Sequence, residues 1–223
     1  MKQVLIRGGK AVTADVPAPF VSSRNILVAV ESSCISAGTE LAGLRASGLP
    51  LYQRALRQPE NVKRVLAMIK EQGLAVALGR VRGKVVAGSA TGYSAAGRVV
   101  AVGGDVDGFA IGDSVACAGA GVANHAELID VPVNLAVRVP AAVSIDHAST
   151  VTLGAIALQG VRRTSPTLGE TIAVIGLGIL GQLAAQMLRA NGCRVIGVDI
   201  ESQRIALARA NGLDVGIDAS AEN

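Results

Sequence analysis

The run Ile172-Ala173-Val174-Ile175-Gly176-Leu177-Gly178-Ile179-Leu180-Gly181 constrains this chain more than any other stretch. Four apolar residues enter three glycines at GxGxxG spacing. The segment from Gln182 to Ala190 reads as a helix that stops at Asn191-Gly192. A second apolar run, Val195 to Val198, ends in the acidic Asp199. Each part has a mechanical task in a dinucleotide site. Gly176 allows a tight strand-to-helix turn, Gly178 lets backbone amides approach a pyrophosphate, and Gly181 permits close packing of helix on strand. The free amides and dipole of the helix start favour a diphosphate. Asp199 can accept from ribose hydroxyls. A glycine-rich turn in some other α/β protein is the plain alternative, but strand, turn, helix, strand and acid all fall in the order a nucleotide half-site needs.

The candidate cofactor-binding residues are therefore Gly176, Leu177, Gly178, Ile179, Leu180, Gly181 and Asp199, with Arg204 in the helix that follows. A carboxylate at Asp199 repels a 2′-phosphate, which favours NAD and leaves NADP as the alternative. Arg204 lies five residues on and does not obviously offset that charge.

Half of the residues are hydrophobic and only 17% are charged, so a core is affordable and disorder as a class is excluded. Aromatics are 2%, with no Trp, which argues against a stacking platform for single-stranded nucleic acid. Cys34, Cys117 and Cys193 are far apart and include no CxxC, so neither a disulfide framework nor a cysteine-rich zinc lobe is readable. The N-terminus lacks the apolar core of a signal peptide, and no apolar stretch reaches the ~20 residues of a membrane helix. A cytoplasmic location, with no membrane or nucleic-acid partner, is the expectation.

The net charge of +4 is unevenly placed. Between Leu49 and Gly88 lie Arg54, Arg57, Lys63, Arg64, Lys70, Arg80, Arg82 and Lys84, against only Glu60 and Glu71. A solvated helix surface is favoured over a nucleic-acid patch. Pro59 sits just inside a helix start and Gly73 just past its end. Val62, Val65, Leu66 and Ile69 share one face of that helix, while Lys63, Arg64 and Lys70 lie off it.

The pattern before about residue 145 is one of short strands separated by glycine and proline, which suggests a closed or nearly closed β-barrel. Strands are expected at Ile26–Val30, Gly97–Gly103, Ser114–Ala116, His125–Pro132 and Leu135–Pro140. From Ile145 the pattern becomes helix, then strand-helix-strand-helix. Arg-Ala-Asn-Gly closes a helix at 189–192 and again at 209–212. One more helix, Glu201 to Ala210, leads to a strand around Val215–Asp218. A doubly wound domain needs about six strands, so the expectation is an incomplete one.

Gly92-Tyr93-Ser94-Ala95-Ala96-Gly97-Arg98-Val99-Val100-Ala101-Val102-Gly103 resembles the G-H-E-x-x-G-x-V-x-x-V-G of the medium-chain dehydrogenase/reductase family, the zinc-type alcohol dehydrogenase-like proteins. Gly108-Phe109-Ala110-Ile111-Gly112-Asp113-Ser114-Val115 resembles its G-F-x-x-G-D-x-V. Ala126-Glu127 with Val131-Pro132 is similar to its A-E-x-x-x-V-P. The resemblance implies a GroES-like β-barrel domain at 1–145, carrying a basic helical insertion at about 49–88. The first part of a Rossmann doubly wound parallel sheet, 146–223, follows.

The family's zinc residues do not carry over. Its C-G-I-C-G-S-D aligns with Cys34-Ile35-Ser36-Ala37-Gly38-Thr39-Glu40, so the second cysteine is Ala37; the His and Glu of G-H-E become Tyr93 and Ser94, and a further ligand position is Val151. Zinc needs about four donors, so the resemblance implies a zinc-independent member. His125 and His147 are then expected to be surface or packing residues, and Glu40 structural. Thr39 falls at the family's Ser/Thr relay position, and Tyr93 stands where a metal ligand would. Tyr93 as proton donor and Thr39 as relay are the candidate catalytic residues; Tyr93 merely filling the vacated metal cavity is the competing reading.

Thr39-Glu40-Leu41-Ala42-Gly43, the basic insertion and Gly92-Tyr93-Ser94 together resemble the bi-domain oxidoreductases, in which such a unit is fused to a second, C-terminal dehydrogenase domain. The implied activity is nicotinamide-dependent oxidation or reduction of an alcohol or carbonyl, sugar-derived substrates included, by a homo-oligomer. A zinc-free enone or quinone reductase and a non-catalytic NAD(H)-binding module are the alternatives.

Overall fold

The computed structural model describes residues 1–50, 53, 56, 59–73, 76, 79, 83 and 87–220. They divide into two compact units, Met1–Thr150 and Val151–Asn223.

The first unit is built on antiparallel pairing. Strands β1 (Lys2–Arg7) and β2 (Lys10–Asp15) form a hairpin, with β4 (Ser89–Ala90) on the other side of β1. The larger sheet contains β3 (Asn25–Ser33), β5 (Ser94–Val102), β6 (Ser114–Ala118), β7 (Leu128–Pro132) and β8 (Ala136–Arg138), in the order β7-β3-β5-β6-β8. Period-two alternation decides which side chains fill the interior. Ile26 and Val28 of β3, Val115 and Cys117 of β6, and Ile129 and Val131 of β7 are fully or almost fully buried in one cluster. Each such aliphatic side chain contributes about 1.5–3 kcal/mol by leaving water. The segment around His125 stitches the two sheets: Val4 N–H donates to the His125 carbonyl, Glu127 N–H to that of Lys2, and His125 N–H to that of Thr91.

Strand boundaries differ from the sequence expectation where pairing, not local pattern, decides. β5 starts at Ser94 because Ser94–Ala96 pair with Ala116–Ala118. β7 starts only at Leu128, because the chain before it pairs with β1 through the single bridge Gln3–Ala126. Val133–Leu135 forms one 3-10 turn ahead of β8.

Helix α1 (Ala37–Gly48) follows β3 and has no fully buried residue. Helix α2 (Pro59–Gln72) has the bounds that Pro59 and Gly73 announce. Val62 and Ile69 are half-buried, while Lys63 and Lys70 are exposed, with Lys63 paired to Glu60 at 2.9 Å. Arg54, Arg57, Arg80, Arg82 and Lys84, and the side chains of Arg64, Val65 and Leu66, lie outside the described residues. A short helix, α3 (Ile145–Ala148), capped by the Ser144 hydroxyl, closes the unit.

The second unit has the strand-helix-strand rhythm. Helix α4 (Val151–Thr164) leads to β9 (Thr171–Ile175), α5 (Ile179–Ala190), β10 (Arg194–Asp199), α6 (Ser202–Ala210) and β11 (Val215–Asp218). The strands are parallel, in the order β11-β10-β9. Leu177, Leu188, Val195, Ile205 and Leu213 form its core. Among the described residues no helix is long and apolar enough to cross a membrane.

Candidate functional site

The turn from β9 into α5 is shaped by its glycines. Gly176 has φ +88°, a conformation that disfavours a side chain, and its N–H donates to the Val198 carbonyl at 2.7 Å. A Cβ on Gly181 would lie 1.9 Å from the Gly176 carbonyl oxygen, so only glycine lets α5 sit this close to the turn. A Cβ on Gly178 would enter open space. That space lies at the start of α5, whose N-cap is Gly178 and whose first amides take no side-chain cap. Helix-start amides without a side-chain cap, at the positive end of a helix dipole and beside open space, suit a pyrophosphate. The residues present thus fit a dinucleotide.

Leu177 is buried in the core, whereas Ile179 and Leu180 are exposed beside the turn. Asp199, at the end of β10, is buried. Its Oδ2 accepts the Leu177 N–H at 2.6 Å and its Oδ1 accepts the Glu201 N–H at 2.9 Å. The Leu177 hydrogen bond, followed by that from Glu201 and the Arg204 charge, holds its carboxyl below the ordinary value against the opposing cost of desolvation. Arg204 Nη1 lies 3.7 Å from Asp199 Oδ1. Arg204, whose sequence spacing did not show that it could offset the Asp199 charge, thus reaches the acid from the first turn of α6. Gln182, which the sequence did not single out, donates through Nε2 to the carbonyls of Leu177 and Arg204, tying the turn to α6.

The first unit holds a cleft of about 390 Å³ lined by Thr39, Glu40, Thr91, Gly92 and Tyr93, among others. Both candidate catalytic residues, Thr39 and Tyr93, thus face one space although 54 positions separate them. Thr39 lies in the first turn of α1 and is exposed; Tyr93 is half-buried just ahead of β5.

Glu40 anchors the floor. Its Oε1 accepts the N–H of Ser36, the N-cap of α1, at 2.9 Å, a variant of the capping box. Its Oε2 accepts the Thr91 hydroxyl at 3.1 Å and lies 2.9 Å from His125 Nε2. His125 Nδ1 lies 2.8 Å from Ser33 Oγ. Of the two roles expected for His125, surface or packing, the structure gives a shielded one, with both ring nitrogens engaged in a polar chain. Gly92 makes room for it. Its φ is +98°, and a Cβ there would stand 2.7 Å from the His125 nitrogen and 3.0 Å from the ring.

The residues at the family's metal positions do not supply a zinc donor set. Ala37 has no donor atom, and the buried Ser94 hydroxyl donates to the Ser149 carbonyl at 2.5 Å. Among the described residues no three His, Cys, Asp or Glu side chains come together. Burial, then the Glu40 charge, pushes the Cys34 thiol up.

No protein-family model matches the chain. It is 33% identical over 138 residues to D-guloside 3-dehydrogenase of Shigella flexneri, a stretch covering 59% of this chain and 39% of that protein. It is 33% identical over 138 residues to a quinone oxidoreductase of Pseudomonas aeruginosa, covering 60% of this chain and 42% of the relative. The matched stretch thus spans about two-fifths of the length of these curated relatives. The whole chain superposes on 60% of the Escherichia coli quinone oxidoreductase complexed with NADPH, with a TM-score of 0.76 and 19% identity.

Proposed function

The chain belongs to the medium-chain dehydrogenase/reductase family, and from that premise we propose that it serves a nicotinamide-dependent oxidoreductase that works on an alcohol or carbonyl without zinc. The observation that carries this reading is the Gly176–Gly181 turn, with open space over Gly178 and the buried Asp199 carboxylate fixed behind it. Bound there, the nicotinamide coenzyme supplies or accepts the hydride.

The rest of the chemistry falls to the chain's own side chains. The start of α5 binds the diphosphate, and Asp199, with two of its lone pairs taken by backbone amides, keeps others for a ribose hydroxyl. Arg204 tempers its charge, so NAD is preferred over NADP by a modest margin. In the cleft of the first unit, Tyr93 donates a hydrogen bond and then a proton to the substrate oxygen, and Thr39 orients that oxygen. Hydrogen-bond donors thereby take over the charge stabilisation that a metal gives in zinc members. The substrate is a small molecule; sugar-derived alcohols are favoured by the guloside dehydrogenase relative. A fused C-terminal dehydrogenase domain and a homo-oligomer belong to the same reading.

A second reading, reduction of a quinone or enone, is favoured by the Pseudomonas relative, equally identical over a stretch of the same length. Mixing the protein with NADH or NADPH and a panel of keto-sugars, simple ketones, enones and quinones, while following nicotinamide absorbance, separates the two. Turnover with keto-sugars or ketones supports the first reading and turnover confined to quinones or enones the second. Nicotinamide binding without turnover on any of them overturns both.

A further inference from the structure

One hydrogen-bonded chain has residues lining each of two clefts in the first unit. Glu40 faces the cleft that holds Thr39, Thr91 and Tyr93. Ser33 and His125 face a separate cleft of about 280 Å³, lined also by Lys2, Glu31 and Glu127. From one to the other run Glu40 Oε2, His125 Nε2 at 2.9 Å, His125 Nδ1 and Ser33 Oγ at 2.8 Å. The His125 side chain is 10% exposed and that of Glu40 14%, so the links are largely shielded while both ends reach open space.

The arrangement is held firmly. Glu40 is fixed at both oxygens, by the Ser36 amide and the Thr91 hydroxyl. The His125 backbone is fixed on both sides, by Thr91 and Val4. Gly92 adopts a left-handed conformation that admits the ring. A shielded carboxylate–imidazole pair is a poor source of stability, because desolvation offsets its Coulomb attraction. An imidazole bonded at both nitrogens is, however, the side chain best suited to pass a proton near neutral pH.

We propose that Glu40, His125 and Ser33 form a proton path that connects the Thr39–Tyr93 cleft with solvent in the second cleft; the inference rests on the oxidoreductase reading of that site. When a carbonyl is reduced, its oxygen gains one proton as its carbon gains the hydride. A hydronium in the second cleft protonates the Ser33 hydroxyl as that hydroxyl passes its own proton to His125 Nδ1. The imidazolium so formed releases the Nε2 proton to Glu40 Oε2, and the resulting carboxylic acid gives it to the cleft, where the Tyr93–Thr39 pair needs it. One proton enters and one leaves, and alcohol oxidation runs the chain in reverse. The charged groups around His125 are Glu40 from α1, Glu31 from β3, Lys2 from β1 and Glu127 two residues along. Lys2 N–H donates to Glu127 Oε2 at 2.7 Å. Cys34, next to Ser33, keeps its proton and does not compete as a base.

His125 acts through Glu40 and is in that sense a positioning residue, so its test needs readouts that a structural role leaves still. Ser33→Ala, which severs only the outer link, should lower kcat about tenfold. KM and dinucleotide affinity should stay unchanged, and small imidazole buffers should restore the rate in proportion to their concentration. A Ser33→Ala rate equal to that of the unsubstituted protein, or a reduced rate that imidazole buffers do not restore, overturns the path while leaving the oxidoreductase reading intact. Absence of hydride transfer by the unsubstituted protein overturns both.

Discussion

The two units solve their chemical tasks by opposite means. The second unit presents backbone: three glycines, the uncapped amides of α5 and one carboxylate, all between positions 176 and 199. The first unit presents side chains gathered from positions 33, 39, 40, 91, 93 and 125. A diphosphate is the same in every dinucleotide, so a fixed backbone cradle suffices to bind it. A proton donor must be placed against a particular substrate oxygen, and that calls for side chains held by second partners. On the proposed reading, one half of this chain would bind by the absence of side chains and the other would act through their presence.

Substitutions that separate the two halves break or sharpen that comparison. Tyr93→Phe should have the largest effect, lowering turnover roughly a hundredfold while leaving nucleotide affinity unchanged. Unchanged turnover in steady-state kinetics would leave Tyr93 as a filler of the vacated metal cavity. Gly181→Ala should do the reverse. With its Cβ 1.9 Å from the Gly176 oxygen, it should cost roughly 3 kcal/mol in denaturant unfolding and remove dinucleotide binding.

Gly92→Ala is the matching probe of the first unit. It should cost about 1–3 kcal/mol and lower kcat by displacing His125, yet leave dinucleotide affinity as it was. A loss of affinity as large as that of Gly181→Ala would erase the distinction between the halves. Asp199→Ala should shift the ratio of NADH to NADPH affinity about tenfold, some 1.4 kcal/mol, toward NADPH. Competition titrations with the two coenzymes read that ratio directly.

The smallest effect concerns acid. The folded Asp199 carboxyl is held below its ordinary value, first by the Leu177 amide. Its contribution to stability is complete above the unfolded value of about 3.9 and is lost as pH falls through the lower folded one. Melting followed from pH 6 downward should therefore show a loss near and below pH 4 that Asp199→Asn lacks.

How much was legible in the sequence follows the same division. The Gly176–Gly181 turn, α5 and Asp199 are contiguous, so spacing alone gave their arrangement. Helix α2 was equally legible, because Pro59 and Gly73 mark its ends locally. Thr39 and Tyr93 were reached through motif resemblance, and their meeting in one cleft is a product of tertiary structure. His125 was not legible: its partners Glu40 and Ser33 are 85 and 92 residues away, and nothing near it in sequence marks the pairing. Helix α1 was missed because it buries no residue fully and so lacks an apolar stripe. Arg204 was named as a candidate, but that it offsets the Asp199 charge was not legible, because five residues of separation do not reveal that the start of α6 brings it to 3.7 Å from the carboxylate.

The most direct test of the central claim is hydride transfer by protein freed of metal. The protein is dialysed against a strong chelator and assayed by nicotinamide absorbance with its best carbonyl substrate, before and after addition of zinc. Alanine at position 37, tyrosine at 93 and serine at 94 predict the same rate in all three conditions. A rate lost on chelation and restored by zinc would contradict the account, and would return the cleft of the first unit to metal chemistry.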